Sequence, residues 1–245
     1  MYINNTQLFK NKKIVITGFN TGIGKKTCID LLKLGADLIL VGRKNTSFKN
    51  KKKTFFIKCD LSNLSEVEQK FNLLAIKFKK IDGFVHSAAQ NQTKSINMIS
   101  NTEWSNILNI NLTSAFIICR ELKESFKNSK NSSIVLISSI AGHRKSLVSG
   151  AHYVASKSGI IGLTKQLSHE FGKENIRINC VCPSQTVTPM LKKSMNLKQM
   201  KNLKKSIPLN RLAETKDQSN TIIFLLSKLS SYIHGAVINV DGGQI

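Results

Sequence analysis

Acidic side chains are scarce in this chain: 14 Asp and Glu stand against 37 Lys and Arg in 245 residues, a formal net charge of +23. Long apolar runs are missing too. None reaches the roughly 20 residues that a membrane helix needs, so no span is expected. The opening stretch MYINNTQLFKNKK lacks the apolar core of a secretion signal. Cysteine is sparse and unpatterned: Cys28, Cys59, Cys119, Cys180 and Cys182. An odd count without metal-like spacing excludes a disulfide framework, predicts no metal site, and points to reduced thiols in a cytoplasm. Cys180 and Cys182, two apart, read as one face of a buried strand. No linker, repeat or low-complexity segment divides the chain, so residues 1–245 are expected to form one domain.

The excess of positive charge raises the question of a nucleic-acid or membrane-surface partner. Only five of the 37 basic residues are arginine (Arg43, Arg120, Arg144, Arg177, Arg211), leaving 32 lysines. Nucleic-acid sites favour the arginine fork. The lysines are spread along the whole chain beside many Asn and Ile, residues with AT-rich codons, and genome composition accounts for them. Only KNKKK (49–53) and LKQMKNLKK (197–205) cluster. Neither a nucleic acid nor a membrane is expected as partner.

What is present is alternation. Short apolar runs read as buried parallel strands: KKIVITG, ADLILVG, TFFIKCD, IDGFVHSAA, SSIVLISS, IRINCVCP and GAVINVDGG. Between them lie helical patterns. GIGKKTCIDLLKLG carries Ile23, Thr27, Leu31 and Leu34 at helical spacing and stops at Gly35. SEVEQKFNLLAIKFKK follows, with Ser65 as the expected N-cap. Residues 103–126 read as one long helix, and 151–172 and 217–229 as two more. Strands alternating with helices predict a Rossmann-like, doubly wound α/β fold with a parallel sheet of about seven strands and helices on both faces. The segment between Val41 and Phe55 is too short for a full helix, so an abbreviated second crossover is expected, ending in the basic KNKKK.

Two motifs carry chemistry. TGFNTGIG (17–24) follows the first strand and opens a helix, where glycines let the backbone approach a pyrophosphate and the helix N-terminus supplies free N–H groups. Alone it is a weak signal, since any tight turn favours glycine. YVASK (153–157) sets Tyr153 and Lys157 four residues apart, on one helix face.

The TGxxxGxG pattern with YxxxK about 130 residues later resembles the short-chain dehydrogenase/reductase family, and the resemblance runs over nearly the whole chain. INCVCPSQTVTPM resembles that family's segment after the sixth strand, and SSYIHGAVINVDGG its last strand. Within the family the chain is similar to 3-oxoacyl-[acyl-carrier-protein] reductases and to reductases found with surface-polysaccharide genes.

The resemblance implies four catalytic residues. Tyr153 protonates the substrate oxygen as hydride arrives. Lys157 lowers the pKa of that phenol and hydrogen-bonds the nicotinamide ribose. Ser139 donates to the same substrate oxygen. Asn111 holds a kink in the long helix and anchors a proton-relay water. It also implies cofactor contacts from Gly18, Asn20, Thr21, Gly22, Ile23 and Gly24 in the glycine loop. Asp60 and Leu61 are implied at the adenine, Ser87, Ala88 and Ala89 after the fourth strand, and Pro183, Ser184, Thr186 and Thr188 after the sixth. Where NAD enzymes place an acid on the ribose, this chain has Gly42, then Arg43 and Lys44. Arginine clamps a 2′-phosphate, so NADPH is expected over NADH, although Asn20 and Thr21 put no basic residue inside the glycine loop.

Three departures stand out. The family's Asn-Asn-Ala-Gly is HSAA (86–89), with Ala89 in place of Gly and His86 expected to pack and hydrogen-bond rather than act as a base. Its Pro-Gly is Pro183-Ser184. The second crossover is short. Residues 189–208 are expected to cover the substrate, with Met190, Leu191, Met195, Leu197, Met200 and Leu203 lining an apolar cavity, although packing is the commoner use of such a stripe.

The expected activity is reduction of a ketone to a secondary alcohol, a 3-oxoacyl thioester foremost. An acyl carrier protein is an expected partner, with Lys130 and Lys173 near the basic positions of the carrier-protein reductases. A keto-sugar or other small carbonyl compound is the alternative. From a different class comes a non-catalytic dinucleotide fold that binds anionic polymers. Apolar residues on several faces of the two long helices (Leu112, Phe116, Ile117, Ile118) predict a homotetramer.

Overall fold

Seven apolar runs pair into a single parallel sheet in the computed structural model, which describes residues 7–49 and 51–245. The strands are β1 (Lys13–Thr17), β2 (Asp37–Gly42), β3 (Thr54–Lys58), β4 (Gly83–His86), β5 (Ser133–Ile137), β6 (Arg177–Pro183) and β7 (Val237–Val240). They lie in the order β3-β2-β1-β4-β5-β6-β7, and every neighbouring pair is parallel. The doubly wound fold expected from the sequence is therefore present. Strand order reverses at β1, so a crevice opens above the C-terminal ends of β1 and β4, where such sheets hold ligands.

Both faces of the sheet are covered, which is why the strands are apolar throughout rather than alternating. Val15 packs into the layer with α2 (Leu64–Lys77), while its neighbours Ile14 and Ile16 pack into the layer with α1 (Gly22–Lys33). Cys180 and Cys182 share one face of β6, with Sγ atoms 3.9 Å apart. The cap of α2 is Asn63, whose Oδ1 accepts from Glu66 N at 3.1 Å, so the expected cap Ser65 lies inside the first turn.

The expected long helix is broken. α3 (Asn101–Leu108) starts at a capping box of Ser100 and Glu103, and it passes into a π-helical stretch over Asn109–Thr113. α4 (Ser114–Glu121) follows, and the chain then restarts as the short α5 (Lys123–Lys127). A π-bulge frees backbone groups that must find other partners. Here the Ile110 carbonyl accepts from Ser114 Oγ at 2.9 Å and from His86 Nε2 at 3.2 Å.

The second crossover has no helix among its described residues. Phe19 fills the gap: its ring centroid lies 6.1 Å from Phe48 and 5.9 Å from Phe56, and Phe19 and Phe48 are buried. Lys49, Lys51, Lys52 and Lys53 are exposed; Asn50 of that basic run and residues 1–6 lie outside the described residues. The remaining helices are α6 (Ala151–Phe171), α7 (Pro189–Ser194), α8 (Leu197–Lys205) and α9 (Thr215–Leu226). No helix among the described residues is long and apolar enough to cross a membrane.

Candidate active site

The glycine loop is built by steric necessity. Gly18 has φ +68°, and a Cβ there would sit 2.5 Å from Ala88 N. A Cβ on Gly24 would lie 2.4 Å from the Gly18 carbonyl oxygen. The cap of α1, Thr21, makes no side-chain bond to the first turn, and that turn carries no acid. The result is a concave helix N-terminus with unclaimed N–H groups and positive potential, which fits a pyrophosphate. Thr21, Gly22 and Ile23 face the crevice beside Gly18.

The Asn20 side chain is bonded to the crossover after β2. Its Oδ1 accepts from Thr46 N and Thr46 Oγ1, both at 3.1 Å, and its Nδ2 donates to the Lys44 carbonyl. Ser47 Oγ donates to the Asn20 carbonyl at 2.9 Å. The side chain is a clip that holds the helix-less crossover against the glycine loop.

At the end of β2, Gly42 is constrained by Phe19: a Cβ would approach its ring to 3.3 Å. Arg43 follows and is exposed. Asp60 Oδ1 accepts from Ser62 N at 3.0 Å and Ser62 Oγ at 2.8 Å. Burial pushes this carboxyl up, but the two Ser62 bonds and the field of Arg43 outweigh it and hold it below its ordinary value. Leu61 beside it is buried in the core.

Above β4, β5 and β6 the remaining residues converge. Ser87, Ala89, Ser139, Tyr153, Lys157 and Pro183 all line one cleft of about 600 Å³. Ser184, Thr186 and Thr188 line it too, whereas Ala88, Asn111, Arg43 and Asp60 do not. Ala88 N donates to Thr17 Oγ1 at 3.2 Å. Thr188 caps α7, accepting from Leu191 N at 3.3 Å. Thr186 is buried and bonds the Ser184 carbonyl at 3.0 Å.

Tyr153 keeps some exposure to the cleft, yet burial pushes its phenol up to about 12, against a hydrogen bond from Ser139 that pulls down. Lys157 is 1% exposed, and its Nζ donates to the Ile137 carbonyl at 2.7 Å. Burial lowers this ammonium to about 8. The expected lowering of the Tyr153 phenol by Lys157 is not found: burial raises the phenol, and Ser139 is the group that opposes it. A phenol held protonated at the cleft wall, beside a hydroxyl and a cation, is equipped to donate a proton.

Asn111 stands behind the cleft in the π stretch and is fully engaged. Its Oδ1 accepts from Gln90 N at 2.8 Å, and its Nδ2 donates to Gln90 O and to Ser156 Oγ, each at 3.0 Å. Ser156 Oγ in turn donates to the Tyr153 carbonyl at 2.7 Å. The side chain therefore ties the kink to the helix that carries Tyr153. His86 is fully buried between Thr17 Oγ1 and the Ile110 carbonyl, both at 3.2 Å, and burial drives it down to about 3. It is a neutral packing group, as expected.

The covering segment is only partly as expected. Met190, Leu191, Met195 and Leu203 line the cleft, but Leu197 is 82% exposed and Met200 lies off it. Among the polar lining residues that sequence reasoning missed are Asn91, Arg144, Lys145, Gln185 and Gln244. Gln185 sits inside a stretch already quoted and Gln244 directly after one, yet an amide alone carries no signal of which way it faces.

Comparison with known proteins agrees with this layout. The family model described as enoyl-(acyl carrier protein) reductase matches residues 18–244. The chain is 32% identical over 240 residues to 3-oxoacyl-[acyl-carrier-protein] reductase FabG of Buchnera aphidicola subsp. Schizaphis graminum, covering 96% of this chain and 98% of that one. Among solved structures, 4-hydroxyisoleucine dehydrogenase complexed with NADH is 29% identical with a TM-score of 0.89, covering 96% of this chain and 98% of that one. A glucose/ribitol dehydrogenase of Brucella melitensis is 30% identical with a TM-score of 0.89, over 98% and 99% of the two chains. A glycine loop under the sheet's switch point, a Tyr and Lys one turn apart on the cleft wall, and matches over nearly the full length lead to one conclusion: the chain belongs to the short-chain dehydrogenase/reductase family of oxidoreductases.

Proposed function

We propose that this protein catalyses reversible reduction of a ketone to a secondary alcohol with NADPH. The observation that carries this reading is the convergence of Ser139, Tyr153 and Lys157 on a cleft that begins at the glycine loop. When bound, the dinucleotide supplies the hydride that goes to the carbonyl carbon. The chain supplies the rest. Thr21, Gly22 and Ile23 offer unclaimed N–H groups to its phosphates. Ser139 donates to the carbonyl oxygen, and the Tyr153 hydroxyl gives that oxygen its proton. Lys157 holds the adjacent positive charge, and Asn111 fixes the helix through Ser156. Arg43, with Gly42 leaving no acid beside it, supports NADPH over NADH. The FabG relatives support a 3-oxoacyl thioester as substrate and a carrier protein as partner. The cleft's own amides favour the second reading, a small polar carbonyl compound. A non-catalytic polymer-binding role draws no support from so complete a site. The test is NADPH oxidation against acetoacetyl thioesters and a panel of keto-sugars; no turnover with any carbonyl compound would sink the reading.

A further inference from the structure

The cleft joins an apolar cover, with Met190, Leu191, Met195 and Leu203, to a polar and basic wall. None of its lining residues is Asp or Glu, while Arg144, Lys145 and Lys157 all bear positive charge. Neither Arg144 nor Lys145 has a carboxylate partner among the described residues. Arg144 Nη1 donates only to the Gln244 backbone carbonyl, at 3.2 Å.

The second observation is independent of charge. Six buried side-chain polar atoms among the described residues lack a hydrogen-bond partner, and three of them belong to lining residues of this one cleft. They are Asn91 Oδ1, Gln185 Oε1 and Gln244 Oε1. The Asn91 amide is oriented by its own bond, Nδ2 donating to the Val148 carbonyl at 3.0 Å, so its oxygen is left to something else. Buried acceptors without donors are rare and costly. A ligand hydroxyl relieves that cost, and the terminal amide torsions are soft enough to turn toward one. An acyl chain brings no donor and leaves the acceptors unmet.

We infer that the substrate is a small ketone carrying both hydroxyl groups and an anionic group, and that Asn91, Gln185 and Gln244 read the hydroxyls while Arg144 holds the anion. The arginine fork matches either a carboxylate or a phosphate. The inference rests on the ketone-reductase reading above and deepens it.

The experiment follows NADPH oxidation by the full chain with four probes: 5-ketogluconate, fructose 6-phosphate, fructose and the N-acetylcysteamine thioester of acetoacetate. Calorimetric titration of each probe into the protein gives binding apart from turnover. One of the two anionic probes should exceed both fructose and the thioester in kcat/KM by at least about tenfold, and which one identifies the anion. Gln185→Leu and Gln244→Leu should each weaken its binding and raise its KM by about tenfold, shifting preference toward the thioester. Arg144→Met should erase the advantage over fructose. A thioester preferred over both anionic probes overturns the inference but leaves the ketone-reductase reading standing. So does an anionic preference that survives all three substitutions. Failure of every probe to oxidise NADPH, with none binding, overturns both.

Discussion

Lys157 Nζ lies 5.7 Å from the centre of the Tyr153 ring, yet its 2.7 Å hydrogen bond goes to the Ile137 carbonyl. The ammonium is parked beside the phenol, not bonded to it. Tyr153→Phe keeps the ring and removes the proton, so turnover should fall by roughly 10²–10⁴ while NADPH binding persists. Lys157→Ala should depress both turnover and cofactor affinity, and Lys157→Arg should not rescue fully, because its fork reaches differently. The readouts are NADPH oxidation with an accepted ketone and cofactor fluorescence titration. A Tyr153→Phe enzyme that retains most of the turnover would reduce the pair to a helix face.

The two perturbed groups also set a pH profile. Tyr153, near 12, stays protonated across the working range, whereas Lys157 loses its charge around 8. The pH profile of kcat/KM for reduction should therefore fall on the alkaline side with an apparent pKa near 8. Stability moves the other way. Between about 8 and the ordinary 10.5, the unfolded chain keeps a proton that the folded chain has released, so the cost of this burial is full below 8 and is relieved as pH rises. A flat rate profile from pH 7 to 10 would contradict the assignment.

The proposed preference for NADPH turns on one side chain. Arg43→Ala should weaken NADPH far more than NADH, since a charge-assisted contact is worth roughly 1.5–3 kcal/mol. Equal losses for both dinucleotides, or a parent enzyme that prefers NADH, would remove Arg43 from the site.

Asp82 offers a test of the scaffold away from the chemistry. It is 8% exposed and accepts from Lys12 Nζ and Ser129 Oγ, each at 2.8 Å, and from Lys13 N at 3.0 Å. Burial raises its carboxyl, but these bonds win and hold it below the ordinary carboxylate value. The stability it contributes is present above that ordinary value and is lost as pH falls through the lowered one. Asp82→Ala leaves three donors without their acceptor and should cost about 2–4 kcal/mol in denaturant unfolding. A loss under 0.5 kcal/mol would mean that solvent replaces the carboxylate freely.

Assembly is testable without substrate. Phe116 on α4 is 43% exposed and Trp104 on α3 is 40% exposed in the isolated chain. Large apolar side chains on helices that already bury one stripe favour a further interface. Sedimentation at micromolar concentration should give a homotetramer; a monomer would leave these residues as ordinary surface.

Much of the fold was legible because a fully covered parallel sheet writes itself as uninterrupted apolar runs. The Tyr153 and Lys157 pairing was legible because helical spacing alone sets it. Asn63 was missed as a cap because Ser65 is an equally good cap type, and only the backbone decides between them. The π stretch at Asn109–Thr113 leaves no mark on periodicity, since it displaces the helical pattern by one residue across five. The use of Asn20 as a clip was not legible, because it depends on a crossover too short to carry a helix. The amides of Asn91, Gln185 and Gln244 come from three distant segments, and only the folded chain brings them to one wall.

The clip at Asn20 bears on how firmly one edge of the sheet is covered. In place of a packed helix, the crossover after β2 is a loop that this side chain fastens through Lys44 and Thr46. Such a boundary opens at far lower free energy than a helix layer peels from a sheet. This edge of the fold is then held by a latch of a few polar bonds instead of by layered packing. Loosening it would disturb only the crossover, since the walls around Ser139, Tyr153 and Lys157 are carried by other elements.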